Sequence, residues 1–194
     1  MKYIAVFDFD GTLTTKDTMI EFIKYSKGTF MLFIGLLLFS PLLILMKLRI
    51  YPNWKAKQQF FSFFFKGYPY EKFKMMGESF KLRIDSITKC STMSKVKEHL
   101  AHSDTVYVIS ASAEEWIKPW CLAQGITNVL GTRIEVREGI VTGRFLSENC
   151  YGAEKVNRLS EMEPDRQSYY LYAYGDSRGD KEMLSYADEG IYVR

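Results

Sequence analysis

The sequence predicts an α/β fold, with a doubly wound core built around a parallel sheet and interrupted by an inserted helical module. Three observations carry that expectation. Short, nearly continuous apolar runs rich in β-forming residues recur at Lys2 to Phe7, Thr105 to Ile109, Tyr169 to Tyr174 and Gly190 to Val193, the pattern of strands buried on both faces of a parallel sheet. Helical patterns lie between most of these runs, which is how strand-helix-strand units read. Residues 16–89 lack the alternation and look helical throughout, so the chain leaves the core after its first strand and returns before the second. The expected organisation is a core from residues 1–15 and 90–194 and an insert at 16–89, with an apolar segment at 28–46.

Taken in order, the first run stops at Asp8, where the strand should end. Lys95 to His102 reads as the end of a helix, where cationic side chains suit the dipole. After Ile109, Ser112 and Glu115 have the spacing of a capping box, opening a helix through Trp116 and Cys121. Residues 129–146 instead alternate, Thr132 to Val136 against Ile140 to Phe145 about Glu138-Gly139, which predicts a small β-hairpin beside the core.

Composition bounds the class. With 194 residues, 47% hydrophobic and 25% charged, the chain can bury a full core and is neither disordered nor fibrous. Residues 16–89 carry 13 Lys/Arg against 5 Asp/Glu and the remainder 13 against 18. A basic module of +8 beside an acidic core of −5 suits an anionic partner, either a phosphate-bearing substrate or an anionic membrane surface; a solvated basic face reads equally well. No nucleic-acid partner is expected. Cys90, Cys121 and Cys150 are odd in number and form no CxxC pair, which argues against a disulfide framework and for a cytoplasmic chain. The opening apolar stretch is broken by Asp8 and Asp10, too short for a signal-peptide core. His99 and His102 can share a helical turn near Cys90, but further ligands at zinc spacing are missing.

The chemistry concentrates at two strand ends. Asp8-Phe9-Asp10-Gly11-Thr12-Leu13 follows the first strand, placing two carboxylates where α/β folds bind ligands. Gly175-Asp176-Ser177-Arg178-Gly179-Asp180 follows the Tyr169 to Tyr174 strand and brings two more acids towards the same crevice. Converging carboxylates call for a hard divalent cation, and Mg²⁺ suits oxygen ligands together with a substrate phosphate. Between them stand Ser110, at the end of the second strand, and Lys155, at the start of a predicted helix. A hydroxyl donor and a cation are what a phosphate needs once a metal has neutralised part of its charge.

In this order, Asp-x-Asp-Gly-Thr, then Ser110, then Lys155, then Gly-Asp-Ser-x-x-Asp, the chain resembles the haloacid dehalogenase superfamily over nearly its whole length. The resemblance implies a Rossmann-like core with a C1-type helical cap in the phosphoserine-phosphatase-like branch, and the second acid, Asp10, is similar to that of its phosphatases. It further implies Asp8 as nucleophile and Asp10 as general acid and then base. Asp8, the Asp10 carbonyl and Asp176 would hold Mg²⁺ with support from Asp180, Ser110 would bond the phosphoryl group, and Lys155 would balance its charge. Phe9, Gly11, Thr12 and Ala111 would bind phosphate oxygens. Asp17 stands where phosphoserine phosphatase uses a Glu to grip its amino acid, so this substrate position departs from that enzyme.

Gly28 to Met46 runs for 19 residues without a charge, about 28 Å as one helix against a hydrocarbon core of roughly 30 Å. A single crossing would place Asp8 opposite Ser110, Lys155 and Asp176, so a simple span conflicts with the site. Ser40-Pro41 should interrupt the helix, and basic flanks, Lys24 and Lys27 before, Lys47 and Arg49 after, predict a helical hairpin entering the membrane from its inner face. Lys47 and Arg49 are further candidates for substrate contact. The alternative is packing within the insert or a dimer interface. The combination is similar to enzymes of the phosphatidylglycerophosphatase C type, which implies a phospholipid headgroup phosphate. Two other readings are a soluble phosphatase of a small phosphorylated metabolite, and a phosphate-binding module in which Asp8 is phosphorylated but turns over slowly.

Overall fold

The computed structural model describes residues 2–146 and 150–193; Met1 and Arg194, the expected outer limits of the core, lie outside the described residues. Among these residues the chain forms β1 (Lys2–Phe7), α1 (Thr18–Lys47), α2 (Asn53–Phe65), α3 (Tyr70–Asp85), α4 (Cys90–Ala101) and β2 (Thr105–Ala113). It continues through α5 (Glu114–Ala123), β3 (Asn128–Thr132), β4 (Ile134–Arg137), β5 (Ile140–Phe145), α6 (Ala153–Met162), β6 (Tyr169–Gly175), α7 (Lys181–Tyr186) and β7 (Glu189–Tyr192).

Five strands form an all-parallel sheet in the order β3-β2-β1-β6-β7, with β4 and β5 as a separate antiparallel pair. The α/β class, the parallel sheet and the hairpin are as the sequence predicts. The fifth strand is not: Asn128 to Thr132 pairs with β2 through Tyr107↔Asn128 and Ile109↔Leu130, so part of the stretch expected to be hairpin belongs to the sheet. Side chains of β1 alternate between two cores. Ala5 and Phe7 join the aromatic cluster of the insert and α5, whereas Ile4 and Val6 pack with Leu159, Leu171 and Met183 on the other face. Because β2 and β6 flank the central β1, the strand order switches from one side of it to the other there, and the crevice beyond its carboxyl end is where such sheets bind ligands.

The insert is seated by aromatic packing. The Phe22 ring stacks on Trp116 of α5 at 4.9 Å and meets Phe65, Phe73 and Phe80 at 5.1–5.6 Å. Arg83 of α3 donates twice to Glu21 Oε2, at 2.9 and 2.7 Å, tying α3 to α1. Gly77 lets α3 lie directly on α5, since a Cβ there would come within 2.1 Å of the Glu115 carbonyl.

The apolar run departs from expectation. α1 breaks at Gly28, whose φ of +83° is available to glycine, and then continues unbroken through Pro41. Proline deprives the Leu37 carbonyl of its helical donor, and the Ser40 hydroxyl supplies one at 2.8 Å. The fold-back falls instead between α1 and α2, where Phe39 meets Phe60 and the Phe64 ring fills the space beside Gly35. These pairs run in opposite chain order, so α1 beyond Gly28 and α2 form an antiparallel arm. Only a stripe including Leu32 and Gly35 is buried, and Phe30, Phe33, Leu37, Leu38, Ile44, Leu48 and Ile50 are exposed. α1 is long and apolar enough to cross a membrane by length and composition, with 11% of its most apolar window buried.

One of the two histidines, His99, has structural partners. His99 is buried, with Nδ1 2.7 Å from Asp104 Oδ2 and Nε2 2.9 Å from the Tyr174 hydroxyl, so neither ring nitrogen is free for zinc.

Candidate active site

β1 delivers Asp8 and Asp10 to the crevice, β6 delivers Asp176, and the turn after it delivers Asp180. Oxygens of Asp8, Asp176 and Asp180 lie within 4.8 Å of one another. Lys155, from the first turn of α6, reaches between them and donates to Asp8 Oδ1 and Asp180 Oδ1, both at 2.5 Å. All three groups of this bridge are buried.

Local sequence explains the placement. Gly11 adopts φ +85°, and a Cβ there would stand 2.2 Å from Asp176 Oδ2, so only glycine lets the β1 loop approach that carboxylate. Lys89, at the start of α4, donates to the Gly11 carbonyl at 2.5 Å and holds the same loop from behind. Ser177 caps the following turn, giving Asp180 Oδ2 donors from its backbone N–H at 2.9 Å and its hydroxyl at 2.7 Å.

The electrostatics follow from burial of like charges. Asp8 is pushed up to about 7 by burial, with Lys155 opposing the rise and the charges of Asp180 and Asp10 adding to it. Burial alone would lower Lys155, but the Asp8 and Asp180 carboxylates raise it overall, so it stays cationic. With all three acids ionised, the carboxylates outnumber the single ammonium by two charges. A hard dication suits that deficit and an all-oxygen donor set, so these residues fit Mg²⁺, with Asp8 and Asp176 better placed to ligate it than Asp180, which already accepts from Lys155 and twice from Ser177.

Asp10 faces elsewhere. Its Oδ1 accepts from the Thr18 backbone N–H at 2.7 Å and its Oδ2 from the Ser112 hydroxyl at 2.5 Å. Its carboxylate therefore lies outside the three-acid cluster, and the carbonyl is the atom it has left to offer a metal. Burial, then the Asp17 charge, lift Asp10 to about 6, against the bonds from Ser112 and Thr18 and the charge of Lys57.

The cleft over these groups measures about 170 Å³ and is lined by Asp8, Asp10, Asp17, Lys57, Ala111, Tyr151 and Lys155, among others. A larger cavity of about 320 Å³ between α3 and α5, lined by Tyr70, Lys74, Glu115 and Lys118, holds none of the motif residues, so the chemistry belongs to the smaller cleft.

Several expected residues sit differently from the sequence reading. Ser110 is buried inside β2, where its oxygen accepts from the Ser112 N–H at 3.0 Å, leaving its own hydrogen to donate. The Phe9 ring is core, edge-on to Trp120 at 5.5 Å, so only its backbone can serve a ligand. Thr12, expected at phosphate, spends its hydroxyl on Asp176 Oδ1 at 2.9 Å and thus orients an acid. Asp17 caps α1 through Ile20 N–H at 3.0 Å while its side lines the cleft. Lys47 and Arg49 are not in the cleft: they lie at the outer end of the arm, about 28 Å along the helix from Gly28. The Ser112 capping box does not form, since the N-cap of α5 is Ala113 with no side-chain bond. Ser112, Thr18, Lys57 and Tyr151 are the site residues that sequence reasoning missed, and apart from the neighbouring motifs no local signal marks them.

A family model described as haloacid dehalogenase-like hydrolase matches residues 5–185. Protein CicA of Caulobacter vibrioides is 31% identical over 192 residues, covering 97% of this chain and 85% of that protein. A histidinol-phosphatase of Neisseria meningitidis serogroup C is 34% identical over 104 residues, half of this chain and 47% of its own length. Among solved structures, a Bordetella pertussis Tohama I protein of unknown function superposes with a TM-score of 0.82 at 19% identity, covering 95% of this chain and 87% of that one. A phosphoserine phosphatase holding a phospho-aspartyl intermediate analogue gives 0.65 at 20% identity, with 96% and 83% covered. At those identities both likenesses are to the fold.

Proposed function

The chain belongs to the haloacid dehalogenase-like hydrolases, and from that premise we propose that it is a Mg²⁺-dependent phosphomonoesterase that works through an aspartyl-phosphate on Asp8. The observation that carries the reading is the buried Asp8–Lys155–Asp180 bridge beside Asp176, an arrangement costly to bury unless a further cation completes it, and that cation in turn draws a phosphate to the site. Bound Mg²⁺, held by Asp8, Asp176 and the Asp10 carbonyl, would neutralise the phosphoryl oxygens. Lys155 holds one Asp8 oxygen and supplies the remaining positive charge. Asp8 attacks phosphorus in line as the ester bond breaks, and Asp10 gives its proton to the leaving oxygen. Asp10 then takes a proton from water, which attacks the aspartyl-phosphate and regenerates the free Asp8 carboxylate. A carboxyl lifted to about 6 can serve both steps near neutrality. Ser110, with its free hydroxyl hydrogen, and the backbone N–H groups of Phe9, Gly11 and Ala111 bond the phosphoryl oxygens.

For the substrate we propose a lipid phosphate presented at an anionic membrane surface. The arm supports this: a mostly exposed apolar helix with Lys24, Lys47, Arg49 and Lys55 along and around it. Because Lys47 and Arg49 occupy its outer end, entry tip-first would bury charge, and lying flat in the headgroup region keeps them wet. A cleft of about 170 Å³ admits a headgroup phosphate and leaves acyl chains outside. That small volume equally favours a second reading, a compact water-soluble phosphomonoester.

Acid-quenched single-turnover reactions with a labelled phosphomonoester test the chemistry. A hydroxylamine-labile phosphoenzyme should form on the natural chain and be absent in Asp8→Asn, and Mg²⁺-dependent turnover retained by pure Asp8→Asn would refute the mechanism. Comparing phosphate release from lipid phosphates in mixed micelles with that from soluble phosphomonoesters decides between the two substrates.

A further inference from the structure

The acid Asp10 is held by a chain of donors that reaches from the insert into the core. The Trp116 indole N–H, which can only donate, lies 3.3 Å from Thr18 Oγ1. Thr18 Oγ1 is 3.0 Å from Ser112 Oγ, and Ser112 Oγ is 2.5 Å from Asp10 Oδ2. Since Thr18 receives the indole hydrogen and an ionised Asp10 can only accept, each hydroxyl hydrogen points the same way, from Trp116 through Thr18 and Ser112 to Asp10. Thr18, Ser112 and Trp116 are buried, so water does not compete for these bonds. The second oxygen, Oδ1, is fixed by the backbone of the same Thr18 at 2.7 Å.

The chain crosses between two bodies of structure. Thr18 is the first residue of α1, at the entry to the insert, whereas Ser112 ends β2 and Trp116 lies on α5. Trp116 is also the surface on which Phe22, one turn further along α1, stacks. Seating α1 on Trp116 therefore brings Thr18 to Ser112 and to both sides of the Asp10 carboxylate together, and lifting it would release both oxygens.

We propose that Thr18, Ser112 and Trp116 are positioning residues that aim Asp10 at the leaving oxygen, so that proton donation depends on the insert being seated on α5. The inference rests on the phosphatase reading and adds to it a route by which the insert controls the acid. A positioning role for the acid has a signature that a structural role lacks, namely dependence on the leaving group. An alkyl phosphate needs its leaving oxygen protonated, whereas 2,4-dinitrophenyl phosphate departs without help.

The experiment measures kcat/KM for both esters with Mg²⁺ in the full chain, in Ser112→Ala, Thr18→Val and Thr18→Ser, and in Asp10→Asn as the limit of the effect. Thr18→Val is nearly isosteric and keeps the backbone bond to Asp10, so it breaks the chain without touching the acid. Ser112→Ala and Thr18→Val should each lower the alkyl-to-dinitrophenyl ratio by about tenfold or more, a part of the 10²–10⁴ that general acids supply, and Thr18→Ser should preserve it. Equal slowing of both esters, or an unchanged ratio in Thr18→Val, would overturn the proposal. Circular dichroism and melting temperature establish folding, and if Ser112→Ala does not fold, the Thr18→Val and Thr18→Ser pair decides the outcome. Failure of the natural chain to turn over either ester would instead remove the phosphatase reading, and the positioning role with it.

Discussion

Replacing Leu37, Leu38 and Ile44 together by Gln should detach the protein from anionic vesicles while leaving its fold intact. The three side chains are 66%, 62% and 58% exposed, so each still has most of its apolar surface to bury. Full burial of such a side chain contributes about 1.5–3 kcal/mol, so three-fifths of it gives about 1–2 kcal/mol apiece and about 3–5 for the three. That corresponds to a loss of roughly two to three and a half powers of ten in partition coefficient. Gln keeps helix propensity close to that of Leu, and exposed substitutions usually change stability by only about 0.5 kcal/mol, so the melting temperature should move little. Co-sedimentation with vesicles containing anionic lipid, over a range of lipid concentrations, reads the partition coefficient directly. Binding by the natural chain should also weaken with added salt, because each basic side chain near the surface contributes about 1 kcal/mol that ions screen. A natural chain that ignores anionic vesicles, or a triple variant that binds them equally well, would refute the membrane role. Self-association that disappears in the variant without any vesicle binding would assign the exposed face to a dimer.

Gly11→Ala should abolish tight Mg²⁺ binding, since it combines a strained φ of +85° with a Cβ 2.2 Å from Asp176 Oδ2; titration calorimetry measures it, and unchanged affinity would mean Asp176 is no ligand. Lys155→Met leaves Asp8 and Asp180 buried without their shared cation, so the metal-free protein should lose about 3–5 kcal/mol in urea unfolding, with part restored by Mg²⁺. Glu115 has a buried oxygen, Oε2, with no partner among the described residues, and burial lifts its carboxyl to about 7, so the folded state holds a proton that the unfolded state has shed. Stability should then fall as pH rises from about 4.5 to 7, and Glu115→Gln should gain on the order of 3 kcal/mol at about pH 8 and little at about pH 4. Parallel stability curves for the two proteins across that range would refute the assignment.

Where the sequence reading held and where it did not follows from the range of the interactions involved. The strands that carry Asp8 and Asp176 are buried on both faces, so each writes a continuous apolar run and the residues just beyond it announce the crevice. β3 escapes that logic because Asn128 and Gly131 interrupt the run, and its place in the sheet is decided by pairing with Tyr107 to Ala113. Ser112 and Glu115 satisfy a local capping rule, yet the same hydroxyl is worth more as the donor to a partly buried Asp10 oxygen, so the tertiary bond prevails. Pro41 obeys its own rule in removing a donor, and Ser40 one residue earlier repairs the loss, which shifts the fold-back to Leu48–Pro52 and turns an expected short hairpin into a long arm. Lys57 comes to the cleft from α2, far from any motif, solely because the arm folds back over the carboxyl end of the sheet. Four of the departures, at Thr18, Ser112, Pro41 and Lys57, concern how the insert folds and meets the core. They fall there because the core motifs are written in adjacent residues, whereas the insert meets Asp10 through contacts that exist only after it has packed on the core.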